Sequence, residues 1–546
     1  MFLKKLTTLA LTAVLSITML SGCSQTKEDK KTESGVTAKE VIQNLDARIA
    51  ISSAFDKSGI TDTLLNNGSV EAQYFVSDEL VYDDEGNSYR EYAKKPGYKF
   101  DKTVASDHWQ KAKDTLGFEK VEIELLMTDS DTSKKIAEYI KGELETNLEG
   151  LTINLKQVPF EQKQELASTG DYEIVQHSWI ADYPDPSTFL DTFVTDSRFS
   201  RECGYSNEEY DQLVKDAKQS ADVNVAWEKF AQAEKMLLEE AYIAPIYQSA
   251  SASVQRESVD GIVVSLYGAR NGYKWTTVEG KDSLNLTSMS DILSLDSSKT
   301  TDSYSFDVLN NIMDGLTRVN LDDEIVEASA KDWVVSEDGL TYTFNMNPDA
   351  KWENGDPVTA HDFEYAWKRT LNPETTSEYA FIMYDIVGAE AYNMGEGSVD
   401  EVGVKAIDDL TLEVKLNRPV NYFERLVGFP VFFPQNQKFV ESCGDKYGID
   451  VDNIMGNGPY KMSTWKMEDQ YSMTKSETYW DKDVVTLQEI NTKISKDGST
   501  SINLYEAGEI DRAGLVADNV ENYKDTKEFK TDKDATTQFL QFNVNN

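Results

Sequence analysis

Between Val121 and Leu155 the chain reads strand, helix, strand, and this pattern limits its fold more than any other. Val121-Glu-Ile-Glu-Leu-Leu-Met127 alternates apolar and polar side chains. Ser133 to Leu148 places Ile136, Ile140 and Leu144 on one helical face, and Leu151-Thr-Ile-Asn-Leu155 alternates again. A helix used as the crossover between two neighbouring strands makes them parallel, and parallel sheets need cover on both faces. A second helix is predicted over Val225 to Glu240, where Ala226, Phe230, Ala233 and Leu237 share a face. Leu340-Thr-Tyr-Thr-Phe-Asn-Met346 and Thr411-Leu-Glu-Val-Lys-Leu416 alternate strictly, as antiparallel strands do. The fold class is therefore α/β. A chain of 546 residues also exceeds the roughly 250 at which a single core stops growing, so several lobes are expected.

The first residues bear on the compartment. Lys4 and Lys5 precede an apolar run through Leu9, Leu11, Val14, Leu15, Ile17 and Leu20, which ends in Leu20-Ser21-Gly22-Cys23. The segment resembles a bacterial lipoprotein signal. That resemblance implies removal of residues 1–22 and acylation of the Cys23 thiol, with a polar tether over residues 23–36. No later run approaches the roughly 20 apolar residues of a membrane-spanning helix, so lipid alone would hold the chain to the extracytoplasmic face of the membrane. With 54 Lys and Arg against 96 Asp and Glu the net charge is −42, which argues against nucleic acid as a partner. The two cysteines of the body, Cys203 and Cys443, are expected to be free thiols.

Little in the chain suggests catalysis. Its three histidines, His108, His177 and His361, are scattered, and neither His-Glu-x-x-His nor Cys-x-x-Cys occurs, so no metal or cofactor is expected. Gly280-Lys281 lacks the upstream glycine of a phosphate loop, and there is no G-x-S-x-G elbow. A pair of carboxylates working as in a glycosidase leaves no spacing signature and stays open as an alternative. His177 reads as a satisfied polar residue.

One segment stands apart: Ser178-Trp-Ile-Ala-Asp182-Tyr-Pro184-Asp-Pro186. Two prolines fix φ and remove donors, so a shaped loop must leave the strand that runs from Ile174 to Trp179. A carboxylate at a strand end beside Trp and Tyr suits an ammonium ligand. It equally suits a loop-capping Asp among packed aromatics.

This segment resembles the W-x-A-D-Y-x-x-P signature of oligopeptide-binding proteins, the receptors of ABC peptide importers. Asp349-Ala-Lys-Trp-Glu-Asn-Gly-Asp-Pro-Val-Thr-Ala-His-Asp-Phe363, Val404-Lys-Ala-Ile-Asp-Asp409, Gly456-Asn-Gly-Pro-Tyr460 with Trp465, and Gly508-Glu-Ile-Asp511 match as well. Their order is rotated. In the family, the segment like Leu284 to Asn546 precedes the one like Asn44 to Trp275. Here the strand Phe539 to Val544 ends the chain, while the helix that follows it in the family, Arg48-Ile-Ala-Ile-Ser-Ser-Ala-Phe-Asp-Lys57, lies near the start. The chain thus resembles a circular permutant whose old ends are fused around Val278 to Leu284.

The resemblance implies a type II periplasmic-binding-protein-like fold of two lobes closing over a peptide, with an extra lobe. Lobe I is expected from residues 37–59, 246–315 and 453–546, the peptide-cleft lobe from 60–245 and the extra lobe from 316–452. It further implies a monomer that binds oligopeptides without catalysis and hands them to a membrane permease. Ser178, Trp179 and Ile180 would pair with peptide main chain and Asp182 would hold the α-ammonium. Tyr384 and Asn543 would contact the peptide, and Thr301 to Ser303, including Asp302, would form a facing strand. The same fold also receives nickel chelates, sugars or signalling peptides. Asp171 to Gln176 lacks the basic residues with which some members meet a short peptide's carboxylate, so tolerance of longer peptides is expected.

Overall fold

The strand–helix–strand unit folds as read from the sequence. In the computed structural model, which describes residues 35–545 apart from 84, 221 and 516, Val121–Thr128 (β1) and Leu151–Val158 (β2) pair in parallel. Helix Asp131–Asn147 (α1) joins them and buries Ile136, Ile140 and Leu144 against the sheet, while Ser130 caps its first turn. Ile174–Ile180 (β3) then adds beside β1. The signal, the tether and Cys23 lie outside the described residues.

Two long strands complete this sheet. Ile243–Gln255 (β4) and Phe529–Phe542 (β5) are antiparallel neighbours, and β5 also runs antiparallel to β3. The order is Val70–Glu71, β4, β5, β3, β1, β2, with Arg512–Gly514 paired to the far end of β4. The expected boundary at residue 245 therefore falls inside β4. A second sheet joins Ser283–Ser288, Glu489–Ile494, Gln470–Lys475 and Tyr460–Lys466, its first pair parallel and the rest antiparallel. The third, made of Ala330–Val335, Thr341–Met346, Thr411–Lys415 and Val404–Asp408, is antiparallel throughout, as the strict alternation predicted. The predicted 225–240 helix is Val223–Glu239, capped by Asp222.

Residues 37–59 cover one face of the first sheet. Val41, Ile42, Ala47, Ala50, Ile51 and Phe55 share a core with Ile123, Ile140 and Ile153 and also with Ile246, Tyr247, Leu540 and Phe542, so the stretch packs on strands from both sides of the expected lobe boundary. The two cations of its motif hold it there. Buried Arg48 donates to the carbonyls of Ile42, Gln43, Glu240 and Ala241 at 2.8–3.0 Å. Lys57 donates to the carbonyls of Ala72 and Tyr98, and burial lowers its pKa to about 7.

The last residues sit on the same surface. Gln43 Nε2 donates to the carbonyl of Asn545 at 3.0 Å, and Val544 N donates to Cys203 O at 2.8 Å. Cys203 and Cys443 are unpaired. Burial pushes the Cys203 thiol up to about 12, whereas Cys443 is partly exposed. A thiol reagent should modify Cys443 in the native protein and Cys203 only after unfolding; peptide mapping of the labelled chain reads this out.

Candidate functional site

β3 changes partners along its length. Ile174 and Val175 face β1, but from Gln176 to Ile180 no strand among the described residues pairs on that side. On its other side β5 pairs with it throughout, Trp179 opposite Thr537 and Ile180 opposite Thr536, and Ala181 N continues the ladder to Ala535 O at 3.0 Å. Antiparallel ladders alternate, so Ala181, Trp179 and His177 turn their main-chain groups to β5. Ser178 and Ile180 turn theirs outward, along an open strand edge.

The loop after β3 is pinned by Thr188. Its hydroxyl accepts from Asp182 N at 2.8 Å and its carbonyl accepts from Trp179 Nε1 at 2.7 Å. Asp185 accepts from Ser187 N and Oγ, which starts the short helix Ser187–Leu190 directly after Pro186. The aromatic rings seal this corner: Trp179 stacks on Tyr379 at 5.9 Å and Tyr183 on Tyr422 at 4.5 Å.

Asp182 is 4% exposed. Neither carboxylate oxygen has a hydrogen-bond partner of normal geometry among the described residues. Burial pushes its pKa well above the usual carboxylate range, opposed only by the nearby Tyr379 hydroxyl. Buried polar groups are nearly always satisfied, so a carboxylate left this way is expensive, and its cost is offset when a cation arrives.

The remaining expected residues fall on different parts of this region. Asp302 is buried, and its neighbours include Arg198 and Tyr379, which places it beside the same corner. Thr301 to Ser303 is not a strand, however. Asp302 is the N-cap of helix Ser303–Ile312, accepting from Ser305 N at 2.9 Å, because Phe306, Leu309 and Ile312 pull the segment into a helix. Burial raises Asp302 to about 6, and Ser303, half-buried, begins the helix. Tyr384 donates to Asn393 Oδ1 at 2.6 Å within its own lobe. Asn543 lies opposite the start of β3, where its amide donates to the carbonyls of Gly170 and Tyr172. About 3.3 Å per residue over the strand separates it from Asp182 by roughly 30 Å.

Three residues that the sequence did not single out meet at β3. Tyr379 stands among Asp182, Arg198, Asp302 and Glu378. It opens the motif Tyr379-Ala-Phe-Ile-Met-Tyr384, which carries a tyrosine at both ends. Lys163, from helix Phe160–Ser168 (α2), is 5% exposed and donates to Gln176 O at 3.2 Å, on the open edge; burial lowers it to about 8. Arg198 approaches Glu202 at 3.2 Å and Glu378 at 3.8 Å. Behind them burial drives His177 down to about 4, so its imidazole is neutral and Arg198 carries the charge that meets Glu202.

A family model, "Bacterial extracellular solute-binding proteins, family 5 Middle", matches residues 25–201 and 324–546. The Bacillus subtilis dipeptide-binding protein DppE is 45% identical over 241 residues, 44% of either chain. The oligopeptide-binding protein OppA of the same organism is 42% identical over 246 residues, 45% of either chain. Among solved structures, Listeria monocytogenes OppA bound to peptide is 38% identical over 46% of this chain and 49% of its own, with a TM-score of 0.45. The matches to these curated relatives thus span under half of their length.

Proposed function

Because the chain belongs to the bacterial extracellular solute-binding proteins of family 5, we propose that it captures an extended peptide by its amino end and delivers it to an ABC importer. The observation that carries this reading is Asp182, a buried carboxylate with the Tyr379 hydroxyl near it and no cation beside it among the described residues, at the end of a strand whose outer edge is open. The α-ammonium of the peptide pairs with Asp182. Its main chain adds to Ser178 and Ile180 as a strand, a mode that suits any sequence because it uses groups all peptides share. The names of the curated relatives, dipeptide- and oligopeptide-binding proteins, support the ligand class.

The roles differ among the residues. Trp179 excludes water through its ring, since its main chain serves β5. Tyr379 and Asp302 line the amino end. Asn543 positions the start of β3, and Tyr384 shapes the facing lobe. Lipid attachment at Cys23, outside the described residues, holds the receptor at the membrane, where the closed form presents itself to the permease. No helix among the described residues is long and apolar enough to cross a membrane.

The rotated order belongs to the same proposal. Separate family matches at 25–201 and 324–546 support it, as do the contact of Gln43 with Asn545 and the tight turn Val278 to Lys281. Gly280 takes φ +77° in that turn, a conformation that favours glycine.

Calorimetric titration of the full chain with Ala-Ala-Ala, an octapeptide and their N-acetylated forms tests the reading. Both free peptides should bind and be recovered intact, the octapeptide at least as tightly, and acetylation should abolish binding. Tighter binding of the tripeptide would refute the expected length tolerance. Indifference to acetylation, or cleavage of the peptide, would refute capture by the amino end.

A further inference from the structure

The two aromatic residues that flank Asp182 each rest on a tyrosine from another part of the chain. Trp179 stacks on Tyr379, and Tyr183 stacks on Tyr422 with ring centres 4.5 Å apart and planes 9° from parallel. Both tyrosines belong to the body built on the third sheet. There Ile386 bridges Leu416 at the end of strand Thr411–Lys415, and Phe423, next to Tyr422, packs on Tyr342 of strand Thr341–Met346. Among the described residues no strand pairing joins this sheet to the first one, so the junction is made by side chains.

Arg418 stands behind the second stack. Its Nη2 donates to the Tyr422 hydroxyl at 3.1 Å, while Nε and Nη2 donate to the two carboxylate oxygens of Asp385 at 2.8 Å each. A bidentate pair fixes the plane of the guanidinium, and with it the donor aimed at Tyr422. Arg418 and Asp385 are only 17% and 15% exposed, so solvent screens their charges little. Across the junction Asp185, from the loop after Asp182, and Asp191, which accepts from Lys218 at 2.7 Å, both lie within the field of Arg418. One guanidinium thus orients the ring that covers Tyr183 and attracts the loop that carries it.

We propose that Arg418 is a positioning residue for peptide retention: through Tyr422 it holds Tyr183, and with it the Asp182 loop, so that a captured peptide leaves only when this stack parts. The proposal rests on Asp182 as the anchor of the amino end. With the two bodies in contact Asp182 is 4% exposed and both flanking rings are covered, so a peptide reaches it while they stand apart. Arrival precedes the stack and departure must undo it. Contacts completed after encounter are felt in the dissociation rate and leave the association rate nearly unchanged.

Surface plasmon resonance on the immobilised full chain, with an octapeptide of free amino terminus, tests this. Tyr422→Leu should raise the dissociation rate at least about tenfold, the worth of a well-stacked aromatic pair, with the association rate within about twofold of wild type. Tyr422→Phe keeps the ring but frees it from Arg418, and should raise the dissociation rate about threefold. Arg418→Met should do so at least as strongly, but it also strands Asp385, so it is compared with the double variant Arg418→Met, Asp385→Asn. The double variant should regain the thermal stability lost in Arg418→Met and keep the fast dissociation; a purely structural role would restore both together. Unchanged dissociation in the Tyr422 variants, a loss confined to the association rate, or slow dissociation restored in the double variant would overturn the role of Arg418 and leave amino-end capture standing. Failure of the wild type to bind would remove both. If Tyr422→Leu does not fold, Tyr422→Phe decides: faster dissociation supports the proposal and an unchanged rate overturns it.

Discussion

Asp182→Asn should lower the affinity for peptides with a free amino terminus by about 100-fold or more while making the peptide-free protein more stable. The two effects have one origin. A buried ion pair that loses one partner costs on the order of 3–5 kcal/mol, and each 1.4 kcal/mol is tenfold in affinity. Before ligand arrives, the same carboxylate is an unsatisfied buried group, a burden of roughly 1–3 kcal/mol that the uncharged amide lightens. The pH dependence follows from the raised pKa. Folded Asp182 holds its proton more tightly than the unfolded chain does, so the destabilisation is absent below the unfolded value of about 3.9. It grows as pH rises from there towards the folded value and is constant above it. Denaturant melts of both proteins across that range should therefore diverge as pH increases, with the variant the more stable. Binding requires the ionised form, so wild-type affinity should rise with pH through the same window and binding should release a proton into the buffer. A variant that binds within threefold of wild type, or melts that run parallel at every pH, would show that Asp182 only caps its loop.

How much of this was visible in the residues depends on how far apart the cooperating groups lie in the chain. The β1–α1–β2 unit was legible because its signals are local: alternation in Val121 to Met127, helical spacing of Ile136, Ile140 and Leu144, and short joints. Pro184 and Pro186 announced a shaped loop at Asp182, but the choice between an ammonium site and a loop cap was made by the resemblance of Ser178 to Pro186 to the family signature, not by the residues themselves. The start of helix Ser303–Ile312 was also signalled, by Asp302 ahead of Phe306, Leu309 and Ile312, but the expectation of a facing strand overrode that local pattern. What could not be read were groups brought in by packing. Lys163 reaches Gln176 from a different helix, and Tyr379 reaches Asp182 from nearly 200 residues away in the chain.

Glu234→Leu should cost about 3–5 kcal/mol of stability. Glu234 is 0% exposed in helix Val223–Glu239. Its Oε1 accepts from Phe75 N at 2.8 Å, Val76 N at 2.9 Å and Arg90 Nη2 at 2.7 Å, and its Oε2 lies 3.3 Å from the Tyr89 hydroxyl. Leucine satisfies none of these donors and strands a buried guanidinium. The position matters for the site because Phe75, whose main chain Glu234 holds, packs edge-on against Phe189, Phe193 and Phe539 at 5.2–5.3 Å. Phe189 belongs to the segment that follows Asp182, so this packing ties that segment to the core. A thermodynamic cycle separates the charge from the rest. Arg90→Met with Glu234→Leu removes both charges and should recover about 1–3 kcal/mol relative to the sum of the single losses, as linked pairs do. Full recovery is not expected, since the N–H groups of Phe75 and Val76 stay buried without acceptors. Glu234→Gln, which keeps an acceptor for those two N–H groups but not the charge, should fall between wild type and leucine. If the double variant were no better than the sum of the singles, Arg90 and Glu234 would not be a linked pair, and the loss in Glu234→Leu would come from the stranded N–H groups of Phe75 and Val76.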